Sequence, residues 1–131
     1  MRDKARTEYQ RDIGICTSAL VVCRETEAEA RASYRSIIDH GDRVAAGNLM
    51  RVLGIESQSF NERIEKYRER IVAGWGTNPI LGTPEQVTDQ IGRMSAAGVD
   101  GVVFGFLDYN EELKYFDKTV MPLLRQAGLR K

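Results

Sequence analysis

Two stretches of the chain are predominantly apolar and lack the strict alternation of polar and apolar residues that a half-exposed strand shows. They are residues 13–23 and residues 102–107, and both are rich in β-branched or aromatic side chains. Such runs are typical of strands that are buried on both faces of a parallel sheet. Ile80 and Leu81 predict a third, shorter strand between them.

The polar segments between these strands carry the signals that begin helices. In a capping box, a hydroxyl and a carboxylate or amide side chain bond the first free amides of a helix, and three such boxes precede apolar residues at helical spacing. They pair Thr26 with Glu29, Ser59 with Glu62, and Thr83 with Gln86. Asp108 and Glu111 are predicted to cap a last helix. Its predicted inward positions are Leu113, Phe116, Val120 and Leu124.

The ends of these helices are marked less sharply. The helix that begins at Thr26 is predicted to end near Gly47, and residues 48–59 are predicted to form an irregular connector. Gly98 and Gly128 are good C-terminal stops. Because Pro122 lacks an amide proton, it is predicted to kink the last helix or to split it in two.

The predicted elements follow the order strand, helix, helix, strand, helix, strand, helix. Residues 1–10, which precede them, are polar and compatible with a helix. Alternating strands and helices predict an α/β fold with parallel strands, here about three βα units. No low-complexity stretch or convincing linker divides the sequence, so residues 1–131 are predicted to form a single domain.

Composition narrows the classes of partner. The 19 Lys and Arg residues balance the 19 Asp and Glu residues, so no bulk basic field indicates nucleic acid or an anionic membrane surface. The longest uninterrupted apolar run covers only residues 19–23, which is too short to span a bilayer. The charged, polar start of the chain is unlike a signal peptide, so we expect a cytoplasmic protein.

No metal site or disulfide is predicted. Seven residues of extended strand separate Cys16 from Cys23 by about 23 Å and place them on opposite faces, so both are interpreted as small buried apolar residues. The single histidine, His40, lies on a polar helix end and is interpreted as solvated rather than as a general base. No second histidine or cysteine stands at zinc-ligand spacing.

Three segments of the chain carry a resemblance to a known family. They are DIGICTSALVVCRETEAEARASY, ILGTPEQVTDQI and GVDGVVFGFLDYNEELKYFDKTVMPLLRQAG. These resemble, in turn, a late strand with its long helix, the short seventh strand with its helix, and the eighth strand with the closing helix of bacterial-luciferase-like, flavin-dependent monooxygenases. The branch that oxidises sulfones, alkanesulfonates and pyrimidines is the most similar. The resemblance covers nearly the whole chain and implies a partial (β/α)8 (TIM) barrel, about the last three βα units, with outer helices.

The resemblance also implies a function. Such enzymes are homo-oligomers that use reduced FMN from a separate flavin reductase, together with O2, to oxidise a small organic substrate. A complete barrel needs about 250 residues, whereas this chain has 131. The chain is therefore expected to depend on the missing N-terminal barrel portion and to be inactive alone. The family's better-known catalytic residues belong to earlier strands without a counterpart here, so no catalytic residue is assigned.

Candidate substrate-binding residues follow the strand predicted at residues 102–107, because ligands of a β/α barrel meet the carboxyl ends of its strands. Phe106 or Tyr109 would wall a pocket beside Gly105, and Asp108 would orient a polar group. The structural alternative is that Asp108 is only a helix cap and that the aromatic rings belong to the core.

A glycine-rich loop around Trp75, with the helix start that follows it, is the second candidate. Backbone amides and the positive end of a helix dipole attract an anion such as a phosphate. The alternative is a loop in which Trp75 fills a gap between helices, since the chain contains neither GxGxxG nor GxxxxGK[ST]. Trp75 is a further substrate-binding candidate, and the cofactor-binding candidates are Gly74, Gly76, Thr77, Gly82 and Thr83.

Different classes of function remain open at this point. In the first, the chain is part of a flavin-dependent monooxygenase. In the second, it is a non-enzymatic structural or self-association module that kept the scaffold and lost the flavin site, because about three parallel strands cannot close a barrel and leave an edge unpaired. A third, weaker alternative is an α/β domain that binds a small molecule without redox chemistry.

Overall fold

The computed structural model describes residues 1–55 and 62–130. Within these ranges the chain forms three strands and six helices, largely in the predicted order. They are α1 (Arg2–Tyr9), β1 (Cys16–Cys23), α2 (Glu27–His40), α3 (Arg43–Val52), α4 (Glu62–Gly74), β2 (Asn78–Gly82), α5 (Pro84–Ala96), β3 (Gly101–Gly105) and α6 (Tyr109–Gln126). The predicted cap Ser59 lies outside the described residues.

The three strands form one parallel sheet in the order β2-β1-β3. In this sheet Val21 pairs with Ile80 of β2, and Ser18 pairs with Val103 of β3. The predicted α/β class, with parallel strands joined by helices, is therefore confirmed. The sheet places the carboxyl ends of all three strands at one edge, where ligands of α/β proteins usually bind.

Helices cover both faces of the central strand. All five residues from 19 to 23 are buried, although side chains alternate between the two faces of a strand. Ala19 and Val21 share a core cluster with Val87 of α5 and Val120 of α6. Leu20, on the opposite face, approaches Gly74 at the end of α4. Therefore α5 and α6 lie on one face, and the helices between β1 and β2 lie on the other.

The parallel strands and helices agree with the predicted partial barrel, although β3 pairs with β1 rather than with β2. In a barrel, strands follow one another in chain order, which would put β2 between β1 and β3, with every helix outside. Here the connection from β2 to β3 passes over β1 and reverses the winding direction. Right-handed crossovers, the usual form, would place helices on both faces when the winding direction reverses, and both faces of β1 are covered by helices of this chain.

Local sequence signals account for the helix starts. Thr26 and Glu29 form the predicted capping box of α2, with both reciprocal hydrogen bonds present. Thr83 and Gln86 form the box of α5, and Pro84 occupies its first turn, where a missing amide proton has no cost. The inward residues of these helices are buried as their 3.6-residue spacing predicts; they include Ala30, Ile38, Val87 and Ile91.

The prediction for residues 41–55 was wrong. Instead of one helix ending near Gly47 and an irregular connector, α2 stops at His40 and the separate helix α3 begins after its cap Asp42. The break follows from packing at Gly41. A Cβ atom there would lie 2.2 Å from Cγ1 of Val72, so only glycine lets the end of α2 approach α4 this closely. Asp42, whose side chain accepts from the amide of Ala45, was the sequence signal for the start of α3.

Strand β3 is less buried than its composition predicted. It lies at one edge of the sheet, and the side chain of Val103 is 67% exposed. On the α6 helix, Phe116, Val120 and Leu124 are buried as predicted, but Leu113 is 47% exposed. The two side chains lie on different sides of the sheet, because Phe104 and not Val103 packs with α6.

Helix α6 is not split by its proline. It runs without interruption from Tyr109 to Gln126 and contains Pro122 in its interior. The N-terminal residues form the short helix α1, in agreement with their helix-compatible composition. Its Arg2 bonds Asp100 and the carbonyl of Gly98, which ties α1 to the amino edge of the sheet. None of the helices described here is long and apolar enough to cross a bilayer.

Candidate functional site

The predicted substrate-binding residues lie at the carboxyl end of β3. Gly105 ends the strand, and Phe106 follows with only 8% of its surface exposed. The ring of Phe106 contacts the edges of Tyr109 and Phe116, with ring centroids 5.6 Å and 5.5 Å away. Phe106 therefore belongs to the core, while Tyr109, which is 57% exposed, is the aromatic side chain available at this end of the sheet.

Asp108 is used as a helix cap. Its Oδ1 accepts a hydrogen bond of 2.9 Å from the backbone N–H of Asn110, which fixes the first turn of α6. A role in orienting a substrate stays a prediction, and the capping role is observed.

The loop around Trp75 lies at the opposite edge of the sheet. It precedes β2, whereas Gly82 and Thr83 follow that strand. Five residues of strand span about 13 Å at about 3.3 Å per residue, so the structure does not bring the two halves of the cofactor-binding set together. Trp75 is 83% exposed and has a positive φ of 59°. The idea that it fills a gap between helices is therefore wrong.

The polar groups of both halves are already bonded within the chain. The hydroxyl of Thr77 donates to the carbonyl of Gly74 at 2.8 Å. At the carboxyl edge, the amide of Thr83 donates to the side chain of Gln86 at 3.0 Å. A Cβ on Gly82 would lie 2.4 Å from Oε1 of Gln86, so that side chain occupies the close approach that glycine permits.

These contacts decide how well FMN fits the residues present. A phosphate at the start of α5 would have to displace Gln86, and the amides of Thr83 and Gln86 are already bonded within the capping box. The loop of Trp75 is too distant to complete the same site. The predicted cofactor-binding residues thus do not form a flavin site by themselves, and we derive no chemical step through the flavin.

Sequence reasoning missed an ion pair between the ends of β1 and β3. Arg24 follows β1 and donates from Nη2 to Oε1 of Glu112 at 2.6 Å. The other oxygen of Glu112 accepts from the backbone amides of Leu107 and Asp108 at 2.9 and 3.2 Å. The side chain of Glu112 is only 11% exposed. The pair therefore ties the loop after β3 to the central strand, at the point where the direction of winding reverses.

The signal for this pair was present but ambiguous. Glu111 and Glu112 both stand in the first turn of α6, and the prediction took Glu111 as the capping acid. Glu111 instead lies on the exposed side and pairs with Lys114 at 3.5 Å. Spacing alone could not identify Glu112, because its partner Arg24 lies 88 residues away in the sequence.

Cys23 lies beside this ion pair at the end of β1. It is buried, as predicted, whereas Cys16 is exposed, which corrects its interpretation as a buried residue. Burial raises the pKa of the Cys23 thiol from 9.0 to about 11. Both thiols are free.

This difference predicts unequal thiol reactivity. At pH 8 we expect a chromogenic disulfide reagent to modify Cys16 rapidly and Cys23 only after unfolding, because the thiolate is the nucleophile and Cys23 is both buried and protonated. Since the unfolded chain releases the Cys23 proton at a lower pH, stability is expected to fall as pH rises from about 9 to about 11. A Cys16→Ser variant should show no rapid phase. Rapid modification of two thiols in the folded protein would contradict the placement of Cys23.

An apolar groove opens beside β3. It has a volume of about 550 Å³. Val102 and Phe104 of β3 line it, together with Leu113 and Met121 of α6. It reaches Tyr109 at the carboxyl end of the sheet and Arg130 at the amino end. Across the described ranges, no group of three or more His, Cys, Asp and Glu side chains is placed to hold a metal ion.

Comparison with curated proteins reveals clear relatives. Over 96% of its length the chain is 34% identical to an FMNH2-dependent dimethylsulfone monooxygenase of Pseudomonas fluorescens (strain Pf0-1), of which it covers 36%. The protein of the same name from Pseudomonas putida is also 34% identical, over 87% of the chain and 33% of the relative. The chain therefore spans about a third of the length of these relatives. No protein-family model matches it.

Solved structures show the same partial coverage. DmoA from Hyphomicrobium sulfonivorans matches 99% of the chain with a TM-score of 0.78 and 19% identity, over 34% of its own length. A riboflavin lyase solved with modified FMN and riboflavin matches with a TM-score of 0.76 and 21% identity, over 35% of its length. At these identities the likeness concerns the fold alone. The chain is thus similar in sequence to FMNH2-dependent dimethylsulfone monooxygenases and similar in fold to part of these solved structures, and it spans about one third of the length of each.

Proposed function

We propose that the chain is part of an FMN-dependent monooxygenase that oxidises a small organic substrate with O2. The observation that carries this proposal is its similarity, over almost its whole length, to FMNH2-dependent dimethylsulfone monooxygenases. A sulfone or a related small sulfur compound is the substrate class that this similarity favours. In a cell the enzyme would work in the cytoplasm, with reduced FMN delivered by a separate flavin reductase.

This chain would form part of the scaffold and would border the substrate. Its residues 1–131 would act as one domain in the wall of a barrel. At the carboxyl edge of the sheet, Tyr109 and the loop from Gly105 to Asp108 would border the substrate. The remaining part of the barrel would have to supply most flavin contacts, because Thr83 and Gln86 already satisfy each other here.

A flavin titration tests whether FMN binding requires the remaining part of the barrel. We expect the isolated chain to leave the fluorescence of oxidised FMN unchanged, because no phosphate site is preformed in it. When it is coexpressed with the N-terminal two thirds of a dimethylsulfone monooxygenase, we expect FMN binding to appear. The N-terminal two thirds of that enzyme, expressed without this chain, serve as the control.

Two outcomes would count against the proposal. Tight FMN binding by the isolated chain would show that the flavin site does not need the rest of a barrel. A stable complex with the N-terminal portion that binds neither oxidised nor reduced FMN would remove the redox function from this molecule.

A specific observation favours a second candidate, a self-association module without enzymatic activity. In the described part of the chain, helices already cover both faces of β1, and neither outer edge of the sheet has a neighbouring strand. A scaffold of this kind can persist alone when its free edges are covered by another molecule. Such a module would associate without flavin and would not gain FMN binding on addition of the missing portion.

A further inference from the structure

The loop that follows β3 is anchored by the carboxylate of Glu112. Two successive backbone amides of the loop, those of Leu107 and Asp108, donate to Oε2 of Glu112 at 2.9 and 3.2 Å. The side chain of Glu112 is only 11% exposed, and hydrogen bonds to a charged acceptor in such surroundings are strong. Because both amides bond one oxygen, the orientation of their peptide planes is fixed. Glu112 therefore sets the path of the chain as it leaves the sheet.

The same carboxylate is connected to the ends of the other two strands through Arg24. Its Oε1 accepts from Nη2 of Arg24 at 2.6 Å. Nη1 of Arg24 donates to the carbonyl of Cys23, the last residue of β1, at 2.8 Å. The backbone amide of Arg24 donates to the carbonyl of Gly82, the last residue of β2, at 3.1 Å. One network of hydrogen bonds thus fixes the loop after β3 relative to the carboxyl ends of β1 and β2.

The side chains that this network carries are exposed. Leu107 is 65% exposed and Tyr109 is 57% exposed, so burial in the core does not fix their direction. A binding site on a loop requires its contact groups to be held within about 0.5 Å of the productive geometry, and supporting hydrogen bonds provide this. The end of β3 has this form, because exposed contact groups stand on a backbone that a buried carboxylate anchors.

We propose that Glu112 is a positioning residue for the substrate. Its carboxylate does not touch the substrate but holds the loop from Gly105 to Asp108 in the conformation in which that loop borders it. Arg24 keeps the carboxylate against the end of β1. This inference rests on the proposed function, in which the loop after β3 faces a small organic substrate such as a sulfone.

NMR order parameters of backbone amides test the positioning in the isolated chain without flavin. At Leu107 and Asp108 we expect about 0.85 in the wild type, the value of a rigid backbone, and less than about 0.6 in Glu112→Ala. Val21 in β1 should keep its value, because order parameters report motion within the folded state rather than stability. Glu112→Gln should lower the two loop values by a smaller amount, and it provides the measurement if Glu112→Ala does not fold.

Glu111→Ala is the comparison variant, since it removes a carboxylate from the same turn of α6. The carboxylate of Glu111 pairs with Lys114 on the exposed side of the helix. The loop after β3 should therefore stay as rigid in this variant as in the wild type.

Steady-state kinetics test the consequence for the substrate. In the FMN-binding complex with the N-terminal portion of a dimethylsulfone monooxygenase, we expect Glu112→Gln to raise KM for dimethyl sulfone at least about tenfold, with kcat changed by less than about twofold. The loop borders the substrate before and during the reaction, so its disorder weakens both states alike. The affinity for FMN should stay at the wild-type value, and Glu111→Ala should leave KM unchanged.

Unchanged order parameters at Leu107 and Asp108 in both Glu112 variants overturn the proposal, as does a wild-type KM in Glu112→Gln. Equal loss of order in Glu111→Ala also overturns it, because the effect would then belong to the start of α6 as a whole. A wild-type complex that binds no FMN refutes the proposed function and, with it, the link to a substrate. The flavin-free NMR measurement separates that outcome from a failure of Glu112 to hold the loop.

Discussion

Replacing either Val21 or Val22 by aspartate is expected to unfold the chain. Both side chains are completely buried, and they point to opposite faces of β1. A carboxylate at either position would have no positive partner and no solvent. Changes of this kind cost more than about 4 kcal/mol, which is most of the 5–15 kcal/mol that usually stabilises a domain. Urea denaturation followed by far-UV circular dichroism measures the loss.

The comparison between the two variants tests the strand arrangement. Helices on one side only would leave one of these two valines exposed, so one aspartate would be tolerated. With helices on both faces, Val21→Asp and Val22→Asp should be about equally damaging. Val44→Asp is the control, since Val44 is 75% exposed and its replacement should change stability by less than about 0.5 kcal/mol. A stable, folded Val21→Asp or Val22→Asp protein would contradict the fold described above.

Much of the fold was predictable because its signals are local. The boxes Thr26–Glu29 and Thr83–Gln86 fix the starts of α2 and α5 from residues three apart. Strand β1 was predicted from its continuous apolar composition, which reports burial on both faces without revealing what covers them. The same reasoning overestimated the burial of β3, because composition does not distinguish a central strand from an edge strand.

The strand order could not be derived in this way. The sequence predicts three βα units, and the family resemblance adds the order of a barrel. Whether the third strand lies beside the second or crosses over the first depends on packing between α5 and α6, which meet through residues far apart in the sequence. Val87 and Val120, for example, share one core cluster although 33 positions separate them.

The candidate site was predictable only in part, for the same reason. The rule that ligands meet the carboxyl ends of strands selected the loop after β3, and its role as a binding site stays a prediction. Applied to the glycine-rich loop of Trp75, it misled, because that loop precedes its strand rather than following it. The ion pair between Arg24 and Glu112 joins two such strand ends, and nothing local marks it.

Breaking the ion pair between Arg24 and Glu112 is expected to cause the second large loss of stability. Glu112→Ala is expected to destabilise the folded chain by about 2 to 4 kcal/mol. The substitution removes the acceptor for the amides of Leu107 and Asp108 and leaves the guanidinium of Arg24 without its carboxylate. We place the effect below that of a fully buried pair, because the side chain of Arg24 is 31% exposed. The measurement is the free energy of unfolding in urea at neutral pH.

Glu111→Ala is the matched control, one residue earlier in the same helical turn. Its carboxylate pairs with the exposed Lys114, and such surface pairs contribute about 0–1 kcal/mol. Glu112→Gln should lie between the two, since an amide oxygen can still accept from one backbone amide but no longer carries the charge that Arg24 needs. The expected losses of stability differ because the carboxylate of Glu112 lies between the ends of β1 and β3, whereas that of Glu111 lies on the exposed side of α6. Equal effects of Glu111→Ala and Glu112→Ala would mean that the loop after β3 is held to the central strand by something other than this carboxylate.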